Sequence, residues 1–289
     1  MVLALYTVVF VAGLAAMAPV FALRALRHGK YLGSLRERLG NVSVAADARP
    51  TLWIHAVSVG ELLAAEPLIR ACVDELANWR VAVSTTTATG QRLARERFPG
   101  LDVFYFPLDL PGAVSRALDR VHPRAVCLIE TEIWPNFLAA CRRRSIPVVL
   151  ANGRISDRSF RRYRRAGRWL ARILAGIDLF LMQSSADAER VRTLGAATER
   201  VVTVGNLKYD VDRDALEARL APRRAEVNAA LGLPDPRPLI VAGSTAEGEE
   251  ALLAECLLRV RERAGLEETR ILIAPRRPER FDEAARTLT

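Results

Sequence analysis

Histidine is scarce in this chain, cysteine is unpaired, and the glycine fingerprint of a dinucleotide site is missing. Of 289 residues, 3 are His and 4 are Cys. With His28, His55 and His122 alone, there is little from which to build a histidine zinc centre. Cys72, Cys127, Cys141 and Cys256 form no CxxC pair and no metal-ligand spacing, and three of them sit in apolar runs, which fits a reducing compartment. No GxGxxG follows any strand-like run, which argues against a nicotinamide oxidoreductase. Residues 1–23 carry no charged side chain. At 1.5 Å per residue, such a run is just long enough to cross a bilayer core of about 30 Å. A cleaved signal peptide would begin with positive charge, whereas here Arg24, Arg27 and Lys30 follow the apolar run. The expectation is a membrane anchor over 1–23 that leaves the rest of the chain in the cytoplasm.

Hydrophobic residues make up 51% of the chain, enough for at least one large core, and the length favours two domains. A formal charge of +9 and a pI near 10.1 imply an acidic partner, which could be nucleic acid, anionic lipid or a phosphorylated ligand. Residues 24–48 read as a juxtamembrane helix and linker. From Thr51, apolar runs of four to eight residues alternate with helical patterns, as in a parallel sheet covered on both faces by helices. Strands are expected near 51–57, 80–85, 102–106, 124–130, 146–151, 177–183 and 200–204. One long helix is expected over 158–175. This α/β, Rossmann-like domain occupies 49–210, a charged helix and the breaker run Gly232–Pro238 fill 211–238, and a second α/β pattern occupies 239–289. Two strands and two helices leave much apolar surface uncovered, so the second domain is expected to be partial.

Three stretches carry candidate chemistry. In the first, a buried-type strand breaks at Ser58-Val59-Gly60 and restarts as a helix at Glu61. An acid in a first helical turn ordinarily complements the helix dipole; the sharper alternative is a general base. In the second, a strand runs into Glu130 and Glu132 before Trp134-Pro135 starts a helix, so three acids share one carboxyl edge of the sheet. A helix cap or an arginine pair would account for any one of them. In the third, Lys208 follows a strand at the domain boundary, where a cation suits a phosphate or carboxylate; a solvated linker lysine is the plain reading. The arginines at 142–144 and along 154–172 would ordinarily be a solvated helix face. Beside an anchor, they suit anionic lipid headgroups. Phe160, Tyr163 and Trp169 are their only aromatic company, which argues against a single-strand nucleic-acid groove.

Together, His55-Ala-Val-Ser-Val-Gly-Glu61, Thr85-Thr-Thr-Ala-Thr-Gly90, Phe106-Pro-Leu-Asp-Leu-Pro111, Glu130-Thr-Glu-Ile-Trp-Pro-Asn136, Ala151-Asn-Gly-Arg-Ile-Ser156, Gly205-Asn-Leu-Lys208, Ser244-Thr245 with Glu247–Glu250, and Ala274–Arg280 resemble the 3-deoxy-D-manno-octulosonic acid (Kdo) transferases of lipopolysaccharide synthesis. The resemblance implies a GT-B architecture of two Rossmann-like domains, the second of them truncated here, so that activity of this chain by itself is doubtful. It implies transfer of Kdo from CMP-Kdo, a co-substrate rather than a cofactor, to a lipid A precursor such as lipid IVA, with no metal. It further implies Glu61 as proton acceptor, Glu130 and Lys208 as transition-state stabilisers, and Pro275 and Arg276, with Ser244 and Thr245, in substrate binding. Arg277 stands where the family often has histidine. Two other readings are a GT-B transferase using a different nucleotide sugar, and a non-catalytic basic adaptor at the inner membrane.

Overall fold

The computed structural model describes residues 2–28, 32–45, 48–210, 213–232 and 237–288. The chain divides into two compact units, Met1–Asp212 and Arg213–Thr289. In the first unit the order is α1 (Val2–His28), α2 (Leu32–Arg38), β1 (Thr51–His55), α3 (Val59–Glu75), β2 (Arg80–Thr85), α4 (Ala88–Arg97), β3 (Asp102–Tyr105), α5 (Pro111–Val121), β4 (Pro123–Ile129), α6 (Pro135–Arg143), β5 (Val148–Gly153), α7 (Asp157–Arg164), α8 (Gly167–Leu174), β6 (Leu179–Met182), α9 (Ser185–Thr193) and β7 (Val201–Thr203). The second unit holds α10 (Arg213–Ala230), β8 (Leu239–Thr245), α11 (Glu249–Arg261), β9 (Arg270–Pro275) and α12 (Phe281–Leu288).

All seven strands of the first unit are parallel, in the order β3-β2-β1-β4-β5-β6-β7. The order reverses between β1 and β4, and a crevice opens at such a switch point beyond the carboxyl ends of the strands. Both faces of the sheet are buried because neighbouring residues of each strand point to opposite sides. From β1, Trp53 enters a core with Phe104, Phe106, Leu128 and Phe137, while Ile54 enters another with Leu62, Ile69, Val83 and Ile129. Trp53 meets Phe104 and Phe137 edge-on, each at 5.2 Å between ring centroids. Gly40, at the end of α2, has φ +89°, and a Cβ there would lie 2.1 Å from the Ala113 carbonyl oxygen; only glycine lets this segment seat on α5.

The expected strands fall where the apolar runs placed them, but the expected 158–175 helix is two helices. Its break comes at Ala166-Gly167, with Gly167 at φ +50°, a backbone turn that the helical repeat of the side chains does not mark. No helix among the described residues is long and apolar enough to cross a membrane. The expected anchor falls within α1; Lys30 and the side chains of Arg24 and Arg27 lie outside the described residues, as do 211–212 and 233–236 of the expected interdomain segment. In the second unit β8 and β9 form a parallel pair. Gly243-Ser244-Thr245, where the sequence alone suggests a tight turn, is the end of β8. Val241, Leu252, Leu258 and Phe281 are exposed on this unit.

Candidate active site

The turn between β1 and α3 is closed by a reciprocal cap. Ser58 is the N-cap, its Oγ accepting from the Glu61 N–H at 3.4 Å. The Glu61 carboxylate in return accepts from the Val57 N–H at 2.7 Å and the Ser58 hydroxyl at 2.8 Å. This is the S-x-x-E capping box, so the plain reading of Glu61 holds as structure. It does not exhaust the residue. Burial pushes the Glu61 carboxyl up, the two hydrogen bonds oppose that, and the nearby Glu130 pushes it further up. The Thr85–Gly90 motif braces the same turn: the Thr86 and Thr87 N–H groups donate to the Val57 carbonyl at 3.1 and 3.3 Å.

Glu130 follows β4, the strand beside β1 across the switch point, so the two carboxylates arise on either side of the crevice. Its backbone is left-handed, φ +61°, a conformation that costs a non-glycine residue about 1–2 kcal/mol. Such strain persists where surrounding contacts enforce it. Here the Glu130 N–H donates to the Ala151 carbonyl at 2.8 Å, and the Arg154 N–H donates to Thr131 Oγ1 at 3.0 Å. Glu132, two residues on, is the third acid of this edge. Burial, then the charges of Glu61 and Glu130, push its carboxyl up to about 7.

Lys208 lies on a 3₁₀ turn, Leu207–Tyr209, that packs against α3. Its Nζ is 4.0 Å from Glu130 Oε1. Two asparagines fix that turn. Asn206 Oδ1 accepts from the Lys208 N–H at 3.0 Å, and Asn152 Oδ1, buried at the end of β5 with φ +58°, accepts from the Leu207 N–H at 3.1 Å. The first unit thus brings Glu61, Glu130, Glu132 and Lys208 to one edge. Carboxylates grouped with a cation can remove a proton from a hydroxyl and steady a departing anion.

His55, the head of the first motif, is not part of that chemistry. It is fully buried, stacked on Phe106 at 3.8 Å and hydrogen-bonded through Nδ1 to Ser84 Oγ at 2.9 Å; burial pushes its imidazole down to about 3, so it stays neutral. Asp109 and Asn136 received no role from the sequence, yet they set the loop that carries Glu132. Helix α6 begins at Pro135 with no capping side chain of its own, and the buried Asp109 carboxylate accepts from the Asn136 and Phe137 N–H groups at 3.0 and 2.8 Å. A Trp-Pro helix start without a local cap was the available signal that a distant acid must supply one.

In the second unit, Ser244, Thr245, Pro275 and Arg276 come together at the carboxyl end of the β8–β9 pair. Thr245 pairs with Pro275, and the Arg276 N–H donates to the Thr245 carbonyl at 3.0 Å. Ser244 is again left-handed, φ +64°. Behind them Glu250, 2% exposed, accepts from the Thr245 hydroxyl at 2.7 Å and from Arg280 at 3.2 and 3.0 Å. The Arg280 guanidinium holds the Glu250 carboxyl down at about 2.

The burial of Glu132 makes stability depend on pH. A carboxyl raised from 4.5 to about 7 favours the fold fully below 4.5 and loses that contribution as pH rises through 7. Glu132→Gln is therefore expected to stabilise the first unit at pH 8, by up to about 2 kcal/mol after allowance for solvent screening, and to be neutral near pH 4. Thermal unfolding at the two pH values checks it, and equal shifts at both would remove the charge explanation.

Known proteins resemble this chain in sequence and in fold. The family described as 3-Deoxy-D-manno-octulosonic-acid transferase (kdotransferase) matches residues 33–211. The chain is 36% identical to the 3-deoxy-D-manno-octulosonic acid transferase of Bordetella pertussis over 97% of this chain and 66% of that one. It is 34% identical to that of Haemophilus influenzae, over 91% and 60% respectively. The chain thus spans 60–66% of the length of these relatives. Among solved structures, the UDP-GlcNAc 2-epimerase of Neisseria meningitidis superposes with a TM-score of 0.60 at 14% identity, over 83% of this chain and 69% of that one. A glycosyltransferase of Rickettsia africae gives 0.59 at 12%, over 84% and 65%. The solved structures support a GT-B-like α/β fold with a parallel sheet, and the family match, which takes in Glu61, Glu130, Glu132 and Lys208, shows that the chain belongs to the 3-deoxy-D-manno-octulosonic acid transferase family.

Proposed function

We propose that the chain transfers Kdo from CMP-Kdo to a lipid A precursor, lipid IVA, in lipopolysaccharide synthesis. The observation that carries the reading is the placement of Glu61 and Glu130 on the two sides of the β1/β4 switch point, with Lys208 beside Glu130. An acceptor hydroxyl at that edge is a poor nucleophile, and Glu61, its proton affinity raised by burial, takes the proton as the bond to Kdo forms. Glu130 and Lys208 stabilise the charge that shifts during transfer. Ser244, Thr245, Pro275 and Arg276 hold the donor, Arg276 offsetting its phosphate or carboxylate. The positive charge comes from the protein, so the reaction requires no metal and no cofactor. Membrane attachment through α1, with both units on the cytoplasmic side of the inner membrane, brings the chain to its lipid acceptor, and the arginines of α7 and α8 favour anionic headgroups there.

The test is direct. The chain, carried to the full length of its relatives, is given CMP-Kdo and lipid IVA with a chelator present, and glycosylated lipid is sought by mass spectrometry. Product is expected. Its absence with CMP-Kdo, together with product from another nucleotide sugar, would reassign the donor.

A further inference from the structure

The first turns of α1 do not stand apart from the first unit; they lie on it. Its half-buried positions are Leu3, Tyr6, Thr7, Phe10 and Leu14, a single stripe at helical spacing. Asn136 Nδ2 donates to Thr7 Oγ1 at 3.0 Å, the Tyr6 hydroxyl is near the Asp109 carboxylate, and the Tyr6 ring lies 6.4 Å from that of Trp169 on α8. Leu3 lines a cavity of about 380 Å³ with Leu138, Trp169 and Ile173, beside which stand Arg142 and Arg172. After α1, the same unit takes hold of the chain again: the Tyr105 N–H donates to the Glu37 carboxylate of α2 at 2.8 Å.

Both flanks of α1 are therefore fixed to one body. A helix that crossed the bilayer would separate its ends by about 30 Å of hydrocarbon, and beyond the docked stripe residues 15–28 supply only about 21 Å, with Pro19 inside them. The opposite side of the helix is nevertheless apolar and uncovered. Leu5, Val8 and Val9 are 65%, 64% and 62% exposed, and Val11 and Met17 are exposed as well. An apolar face this continuous, on a helix whose docked side adjoins Arg142 and Arg172, matches the boundary between headgroups and acyl chains of an anionic bilayer.

We infer that α1 lies in the plane of the membrane interface, docked on α6 and α8 through its Leu3-Tyr6-Thr7-Phe10 stripe, and that its amino terminus stays on the same side of the bilayer as the catalytic units. This rests on the membrane attachment proposed above and replaces a crossing anchor with an interfacial one. The docked stripe makes the bilayer-facing surface part of the first unit. Tyr6 and Thr7 meet the Asp109-Asn136 pair that starts α6, so one hydrogen bond joins the interfacial helix to the start of the helix that follows Glu132.

The full chain, expressed with an epitope tag before Met1, is examined in spheroplasts and in inside-out inner-membrane vesicles. Protease digestion reports the side of the tag, and a membrane-impermeant maleimide on the native, exposed Cys256 reports the side of the α/β units. Ala4→Cys in a Cys256→Ser background, labelled with the same reagent, reports residue 4 without a tag. The expected result is loss of the tag, labelling of Cys256 and labelling at position 4 all from the inside-out vesicles only. Digestion of the tag, or labelling at position 4, from the spheroplast side would show a crossing helix and overturn the inference while leaving membrane attachment intact. Recovery of the chain wholly in the soluble fraction would overturn the attachment itself.

Discussion

Glu61→Gln is expected to lower the rate of Kdo transfer by roughly 10² to 10⁴, with the fold almost unchanged, when measured in the enzyme at the full length of its relatives. The amide keeps the size of the side chain. Its oxygen can still accept from the Val57 N–H, and its NH₂ can donate to Ser58 Oγ, so the cap at the start of α3 survives at a cost of up to about 1 kcal/mol. Lost are the charge and the capacity to take a proton. Glu66→Gln is the control from the same helix. Its carboxylate pairs with Arg70 and Arg97 at 2.7 and 3.2 Å on the surface, away from the capped turn, and its loss should leave the rate within about threefold. Equal small effects at 61 and 66 would reduce Glu61 to its structural role.

Lys208→Ala is expected to lower the rate by about 10² to 10³, the range seen when one preorganised charge donor is removed. The lysine is half-exposed, and the 4.0 Å pair with Glu130 is worth no more than about 1 kcal/mol to the fold. Rate and stability therefore separate: thermal unfolding should move little while kcat falls. Lys208→Arg, which keeps the charge but replaces a compact ammonium with a planar fork, should recover part of the loss. A rate within about fivefold of the parent for Lys208→Ala would make the residue a surface partner of Glu130 and nothing more.

The sheet was readable in the sequence because parallel strands buried on both faces are near-continuous apolar runs, as in Thr51–His55 and Ala125–Ile129. Their order was not, since nothing in a run of valines says which neighbour it pairs with. The cap at Glu61 was legible, because Ser58 three residues before an acid spells it, and so was its position at an edge, which the strand-to-helix turn dictates. The raised proton affinity of Glu132 was not, because it depends on how deeply the turn before α6 is buried and on Glu61 reaching it from α3, in addition to Glu130 two residues away. Asn152 was visible only as part of a motif. Its work is a hydrogen bond to residue 207, a contact 55 positions away that no local pattern encodes. The apolar run at the amino terminus had the composition of an anchor, and the stripe by which it seats on α6 and α8 is spaced like any helix face.

At the start of α3, one carboxylate both terminates the helix and, in the proposed reaction, receives a proton. A protonated carboxyl is a weaker acceptor for the Val57 N–H and interacts less favourably with the positive end of the helix. Each turnover would therefore loosen the first turn of α3 while the proton stays on Glu61, and tighten it when the proton leaves. Selection on this position acts on two traits at once. A substitution that makes the helix start more robust, by fixing the carboxylate more firmly as an anion, makes it a poorer base, and one that raises its basicity frays the helix on which it stands.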